Sequence, residues 1–220
     1  MRVLITGSSK GIGLAVAQMF LDKGHVVIGM DILPPAIDHP NYIHYVRDIS
    51  KKRTLPEIDG IEIIFSNAGT QNKNDIENNL VGAMNITEKY AFQDKNKSVL
   101  FNASASARSG FEFPIYVASK AGVVGYMKNV ATRLAEFGAT CNSLSLGGVL
   151  TESNAPVMEN KRSWEQIMNV TPLKKWMTLN EVCDWVYFLT VTNKSMTGQD
   201  ILVDNGEYNS NSTFVWVGRH

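Results

Sequence analysis

The sequence predicts an α/β fold, one doubly wound parallel sheet with helices on both faces, and three observations carry that prediction. Short apolar runs that read as buried strands alternate along the chain with longer segments of helical periodicity. The first strand-like run passes through a glycine-rich turn straight into a helix-like segment. Gly7, Asp31, Asn67 and Ser104 stand at or just beyond the carboxyl ends of successive strand-like runs. Ligands of open α/β sheets sit at those ends, so the four residues are expected around one crevice.

Taken in order, residues 2–6 (Arg-Val-Leu-Ile-Thr) form the first expected strand, and the turn 7–13 (Gly-Ser-Ser-Lys-Gly-Ile-Gly) follows at once. Ile12, Ala15, Val16, Met19 and Phe20 then recur with helical spacing, and Gly24 marks the stop. A second strand over 25–30 ends at Asp31. Later strands are expected over 61–65, 98–102, 140–146 and 199–203, and later helices over 75–91, 116–137 and 179–189. The chain has 220 residues, which suits one globular domain. We divide it into a dinucleotide-binding and catalytic domain over 1–206 and a tail over 207–220, where Phe214 and Trp216 are candidates for a subunit contact or a cleft cover.

A strand, a glycine turn and a helix make a phosphate-binding opening. Glycines let the backbone approach a pyrophosphate, and the helix N-terminus offers free N–H groups at its positive end. The glycine pattern is G-x-x-x-G-x-G rather than the G-x-G-x-x-G fingerprint. Asp31 lies close to the spacing of roughly 20 residues at which an acidic residue holds the adenine-ribose hydroxyls of NAD. A carboxylate there repels the extra phosphate of NADP, so NAD is favoured; Lys10 in the turn argues mildly the other way. The plain alternative for Asp31 is an ordinary turn residue at a strand end.

Tyr116 and Lys120 are four apart on an expected helix and therefore share a face. A free phenol has a pKa of about 10. A neighbouring ammonium favours the phenolate, so such a pair can handle a proton near neutral pH. The spacing alone is common in helices, where it usually means a half-buried aromatic beside a solvated lysine.

With the glycine turn and the Tyr–Lys pair both present, the chain resembles the short-chain dehydrogenase/reductase family from Arg2 to about Gly206, which implies a Rossmann-like fold. Gly7, Ser9, Lys10, Gly11, Ile12 and Gly13 fall in the segment similar to that family's cofactor turn. Asp48 and Ile49 resemble its adenine-contacting pair after the third strand, and Asn67, Ala68 and Gly69 its Asn-Ala-Gly at the end of the fourth. The segment 142–151, with Gly147, Val149 and Thr151, is similar to its cofactor-side loop. The resemblance implies catalytic roles for Ser104, Tyr116, Lys120 and Asn79, with Ser106 as the alternative serine, and places Tyr116 and Lys120 against the nicotinamide ribose. It implies that Asn79 holds a water linking Lys120 to solvent. It also implies a homodimer or homotetramer paired through helices beginning near Asp75 and Tyr116.

The sequence departs from the family in a short 70–77 segment, in short connections around Asp48, and in Leu146 where a proline is usual. The expected reaction is hydride exchange between NAD(H) and a secondary alcohol or ketone. The alternatives are an NADPH-dependent 3-oxoacyl-thioester reductase and a non-catalytic NAD-binding protein. Val157, Met158, Trp164, Ile167, Met168 and Trp176 make 151–176 the expected substrate-facing segment, suited to an apolar or mixed substrate. Lys161 and Arg162 there suggest contact with an anionic group or simply a solvated face.

Basic and acidic residues balance at 21 each, with no basic run, which argues against nucleic acid or an anionic membrane as partner. Cys141 and Cys183 lack CxxC spacing and the four histidines are scattered, so no metal site and a reduced, cytoplasmic setting are expected. The first apolar run is too short for a signal peptide or a membrane span.

Overall fold

Strand β1 (Arg2–Thr6) is buried along nearly its whole length, as a central strand covered on both faces must be. In the computed structural model, which describes residues 1–111 and 113–208, it lies inside a seven-stranded, all-parallel sheet. The other strands are β2 (Val26–Asp31), β3 (Tyr42–Val46), β4 (Ile63–Ser66), β5 (Ser98–Asn102), β6 (Thr140–Leu146) and β7 (Asp200–Val203), in the order β3-β2-β1-β4-β5-β6-β7. The direction of winding reverses between β1 and β4, and this switch point opens the crevice at the carboxyl ends.

Alternate strand residues feed two cores. Leu4, Ile28, Ile64, Val99 and Phe101 pack with helices α2 (Gly82–Tyr90) and, after the short α3 (Ser106–Ser109), α4 (Pro114–Leu134). Val3, Ile5, Val27, Phe65 and Leu100 pack on the other face with α1 (Gly11–Asp22) and α7 (Leu179–Tyr187). Between β6 and α7, the expected substrate segment carries two further helices, α5 (Ala155–Glu159) and α6 (Lys161–Val170). Thr178 and Glu181 form a capping box that starts α7.

Several expected boundaries move. The helix expected over 75–91 opens as a π turn over Ile76–Val81 before becoming α2, and the one over 179–189 ends in a π turn over Phe188–Thr192. Helix α4 begins two residues before Tyr116 because Pro114 suits a first helical position, and after Leu134 it tightens into a 3₁₀ turn closed by Gly138 at φ +64°. Ile61 is buried but precedes the pairing of β4, which starts with Val3 opposite Ile63. The tail residues Phe214 and Trp216 lie outside the described residues. No helix among the described residues is long and apolar enough to cross a membrane, and both cysteines are buried and unpaired.

Candidate active site

Where β1 ends, the backbone turns through Gly7 at φ +68° and Gly11 at φ +54°, and helix α1 leaves with Lys10 at its N-cap. Lys10 is exposed and gives the helix no side-chain cap, so the first amides of α1 keep donors for an anion. The turn is packed against the neighbouring strand end. Thr6 Oγ1 accepts from the amides of Asn67 and Ala68, each at 3.0 Å. Asn67 Nδ2 donates to the carbonyls of Thr6 at 3.0 Å and Gly7 at 3.3 Å, while its Oδ1 accepts from Asn102 Nδ2 at 2.9 Å. The ends of β1, β4 and β5 are thereby stitched into one rim.

Gly13, on the first turn of α1, has no room for a side chain: a Cβ there would sit 1.9 Å from the Gly7 carbonyl oxygen. Gly13→Ala is therefore expected to push α1 off the turn. The melting temperature should fall by several degrees and the NADH dissociation constant rise at least ~10-fold, since overpacking against backbone has no rotamer to relieve it. Calorimetry and NADH fluorescence titration read the two effects.

At the end of β2, Asp31 is buried, and both carboxylate oxygens are anchored: Oδ2 accepts from the Ser9 amide at 3.0 Å and Oδ1 from the Leu33 amide at 3.0 Å. This fixes the carboxylate beside the glycine turn. Beyond β3, Asp48 Oδ1 accepts from the Ser50 amide at 2.9 Å. The Ile49 side chain lies in the core under Gly82, where a Cβ would meet it at 2.7 Å, which leaves Asp48 as the polar member of that pair. Past β6, the Gly147 amide donates to the Val203 carbonyl at 3.0 Å, Val149 is buried and bridges to Met177, and half-buried Thr151 opens the next turn.

Tyr116 is half-buried in the first turn of α4, and one turn on Lys120 is almost wholly buried. The Lys120 ammonium donates to the Asn102 carbonyl at 2.7 Å and lies 5.7 Å from the centre of the Tyr116 ring. Burial pulls its pKa down to about 8, against a partial upward pull from the Asp75 carboxylate. Gly69 faces this group: a Cβ there would come within 3.0 Å of Asn79 Oδ1 and 3.5 Å of Lys120 Nζ. Asn79, in the π turn, has its Oδ1 on the Thr70 amide at 2.7 Å and its Nδ2 shared between the Thr70 carbonyl at 2.9 Å and Ser119 Oγ at 3.0 Å.

The two serines after β5 are not equivalent. Ser106 is fully buried, and both its hydroxyl (2.8 Å) and its amide (3.2 Å) donate to Ser104 Oγ. Ser104 accepts both, which leaves its own hydroxyl proton to be donated elsewhere.

Sequence reasoning missed Thr6 and Asn102, which knit the rim; Trp176, expected to face substrate, has its indole in the place a Cβ on Gly148 would take. Thr6 and Asn102 carried a readable signal, as polar residues ending apolar strand runs. The glycine cradle, the uncapped helix start and the fixed Asp31 fit a dinucleotide with its pyrophosphate at α1. Lys120, on the Asn102 carbonyl of that rim, brings an ammonium with a pKa lowered to about 8 beside the Tyr116 ring, and Ser104 follows the same strand two residues on.

Residues 52–207 match the family model described as enoyl-(acyl carrier protein) reductase. The chain is 31% identical to (+)-borneol dehydrogenase 1 of Salvia officinalis, covering 92% of each chain. It is 28% identical to the 3-oxoacyl-[acyl-carrier-protein] reductase of Buchnera aphidicola, over 93% of this chain and 96% of that one. The structure of 4-hydroxyisoleucine dehydrogenase complexed with NADH has the same fold, with a TM-score of 0.83 at 22% identity over 94% of this chain and 98% of that one. The chain belongs to the short-chain dehydrogenase/reductase family of oxidoreductases.

Proposed function

We propose that this protein interconverts a secondary alcohol and its ketone with NAD(H), with Tyr116 as the general acid/base. The observation that carries the reading is the buried Lys120 ammonium beside the Tyr116 ring, held on the Asn102 carbonyl. When bound, the nicotinamide supplies or accepts the hydride. In oxidation Tyr116, as phenolate, takes the hydroxyl proton, and in reduction it returns that proton. Lys120 favours the phenolate by its charge and donates to the nicotinamide ribose. Ser104, rather than Ser106, donates to the substrate oxygen where negative charge grows. Asn79 holds the loop beside Lys120, and the relay of water from Lys120 to solvent assigned to it belongs to the same proposal.

On the cofactor side, Gly7, Ser9, Lys10, Gly11, Ile12 and Gly13 receive the pyrophosphate and its flanks. Asp31 takes the adenine-ribose hydroxyls, Asp48 and Ile49 the adenine, and Asn67, Ala68 and Gly69 the nicotinamide-side ribose. Gly147, Val149 and Thr151 border the nicotinamide. NAD is preferred because Asp31 presents a fixed carboxylate where NADP carries its phosphate. Asp31→Ser should reduce the ratio of kcat/KM for NAD over NADP at least ~10-fold, an effect of removing one like charge at close range. A ratio that stays put would move cofactor choice to another residue.

The test of the whole reading is NAD- and NADP-linked turnover measured over a panel of alicyclic alcohols, hydroxy acids and 3-oxoacyl thioesters. Activity confined to thioesters with NADPH would replace it by the second reading, which the family model and the Buchnera aphidicola relative favour. Tight NADH binding without any turnover would leave a binding protein. A dimer or tetramer paired through α2 and α4 belongs to the same proposal and is read by light scattering.

A further inference from the structure

The short loop after β4 carries a buried carboxylate that the chemistry above does not use. Asp75 is 1% exposed, and its Oδ1 accepts from Thr70 Oγ1 at 2.8 Å and from the Asn72 amide at 2.7 Å. Thr70 passes the constraint on: its amide and carbonyl grip the two ends of the Asn79 side chain, and its hydroxyl accepts from Asn78 Nδ2 at 3.1 Å. Asn79 Nδ2 donates to Ser119 Oγ at 3.0 Å, and Ser119 Oγ donates to the Tyr116 carbonyl at 2.7 Å. An unbroken chain of hydrogen bonds therefore joins Asp75 to the turn of α4 that bears Tyr116.

A buried carboxylate also exerts a field. Asp75 favours the charged form of Lys120. Around Lys120, β5 contributes the Asn102 carbonyl, the loop and π turn contribute Gly69 and Asn79, and α4 contributes Tyr116. Of these neighbours only Tyr116 is titratable, and Asp75 is held on Thr70, the residue after the Gly69 that borders the ammonium.

We propose that Asp75 is a positioning residue for the Tyr116–Lys120 pair, clamping the loop that fixes Asn79 and Ser119 and placing a buried carboxylate on the loop that borders the Lys120 ammonium. The proposal rests on reading that pair as the proton-handling centre. Asp75→Asn separates its two parts, because an amide oxygen still accepts from Thr70 and Asn72 while the charge is gone.

Two measurements read the result. The side-chain carbon resonances of the lysines are followed against pH by NMR, Lys120 being identified by its absence in Lys120→Met. The pH profile of kcat/KM is recorded on the best substrate. In Asp75→Asn the Lys120 midpoint should fall by roughly 0.5–1 pH unit, the work of one opposite charge at partly screened range. The alkaline limb of the profile should move down with it, at a melting temperature near wild type. A uniform loss of kcat with the midpoint and limb unmoved is what a merely structural role gives, and it would overturn the proposal. Asp75→Ser, which keeps a small acceptor without charge, serves the same test if the amide variant does not fold. The resonance needs no turnover. A shifted midpoint in a protein inert to every substrate class would sink the oxidoreductase reading alone, and an active enzyme with an unmoved midpoint would sink the role of Asp75 alone.

Discussion

Replacing Tyr116 by phenylalanine is expected to lower kcat by about 10³-fold or more, while the NADH dissociation constant stays within roughly threefold of wild type; general acid–base groups typically contribute about 10²–10⁴-fold. The change deletes one oxygen and keeps the ring, so the packing of the first turn of α4 and the 5.7 Å approach of Lys120 to the ring are preserved. The hydrogen bond that fixes this turn from behind runs from Ser119 to the Tyr116 carbonyl, and the substitution does not touch it. What disappears is the phenol beside the buried ammonium, and with it the group proposed to exchange a proton with the substrate oxygen. Ser104 cannot substitute, because an ordinary hydroxyl is far too weak an acid or base near neutral pH. Steady-state turnover and NADH fluorescence titration separate the two expectations. Residual activity within about tenfold of wild type would assign the proton to another group.

The parts of this molecule legible in its sequence are those where one local pattern does all the specifying. The glycine turn was readable because positive φ at Gly7 and Gly11 and the closeness of Gly13 to the Gly7 carbonyl leave few other residues possible. Strands β1 and β5 were readable because burial on both faces demands a nearly unbroken apolar centre, residues 3–5 and 99–101. Strand β3 resisted because it is the sheet edge, with Ile43 and Val46 exposed and His44 turned to the Leu33 carbonyl, so no single periodicity marks it. The π turn at 76–81 could not be seen at all. Within it Asn79 meets both Thr70 and Ser119, residues on different elements that no local pattern links to it. The difference between Ser104 and Ser106 likewise lies in space, since two serines in one short segment look alike until one is buried as donor to the other. Residues that act through distant partners are silent in sequence; residues constrained by their own backbone are not.

Lys120→Met is expected to cost activity and to gain stability at neutral pH, with a dependence on pH that identifies the cause. The lysine has its pKa pulled from 10.5 to about 8 by burial, so in the folded protein its proton is held less firmly than in the unfolded chain. Between about 8 and 10.5 the unfolded state binds more protons, and the wild-type protein therefore gains stability as pH rises through that window. Below the window the folded protein bears the full cost of a buried ammonium, on the order of a few kcal/mol. Methionine fills the same channel without charge and has no such dependence. The excess in melting temperature of the variant over wild type should be largest near pH 7 and shrink as pH approaches 10.5. Over the same range kcat in the variant should be lower by at least ~10²-fold, because the phenol has lost the charge that favours its ionisation. A stability difference that does not change with pH would show that Lys120 is not titrating where its burial places it, and that the ammonium is solvated by a route other than the Asn102 carbonyl.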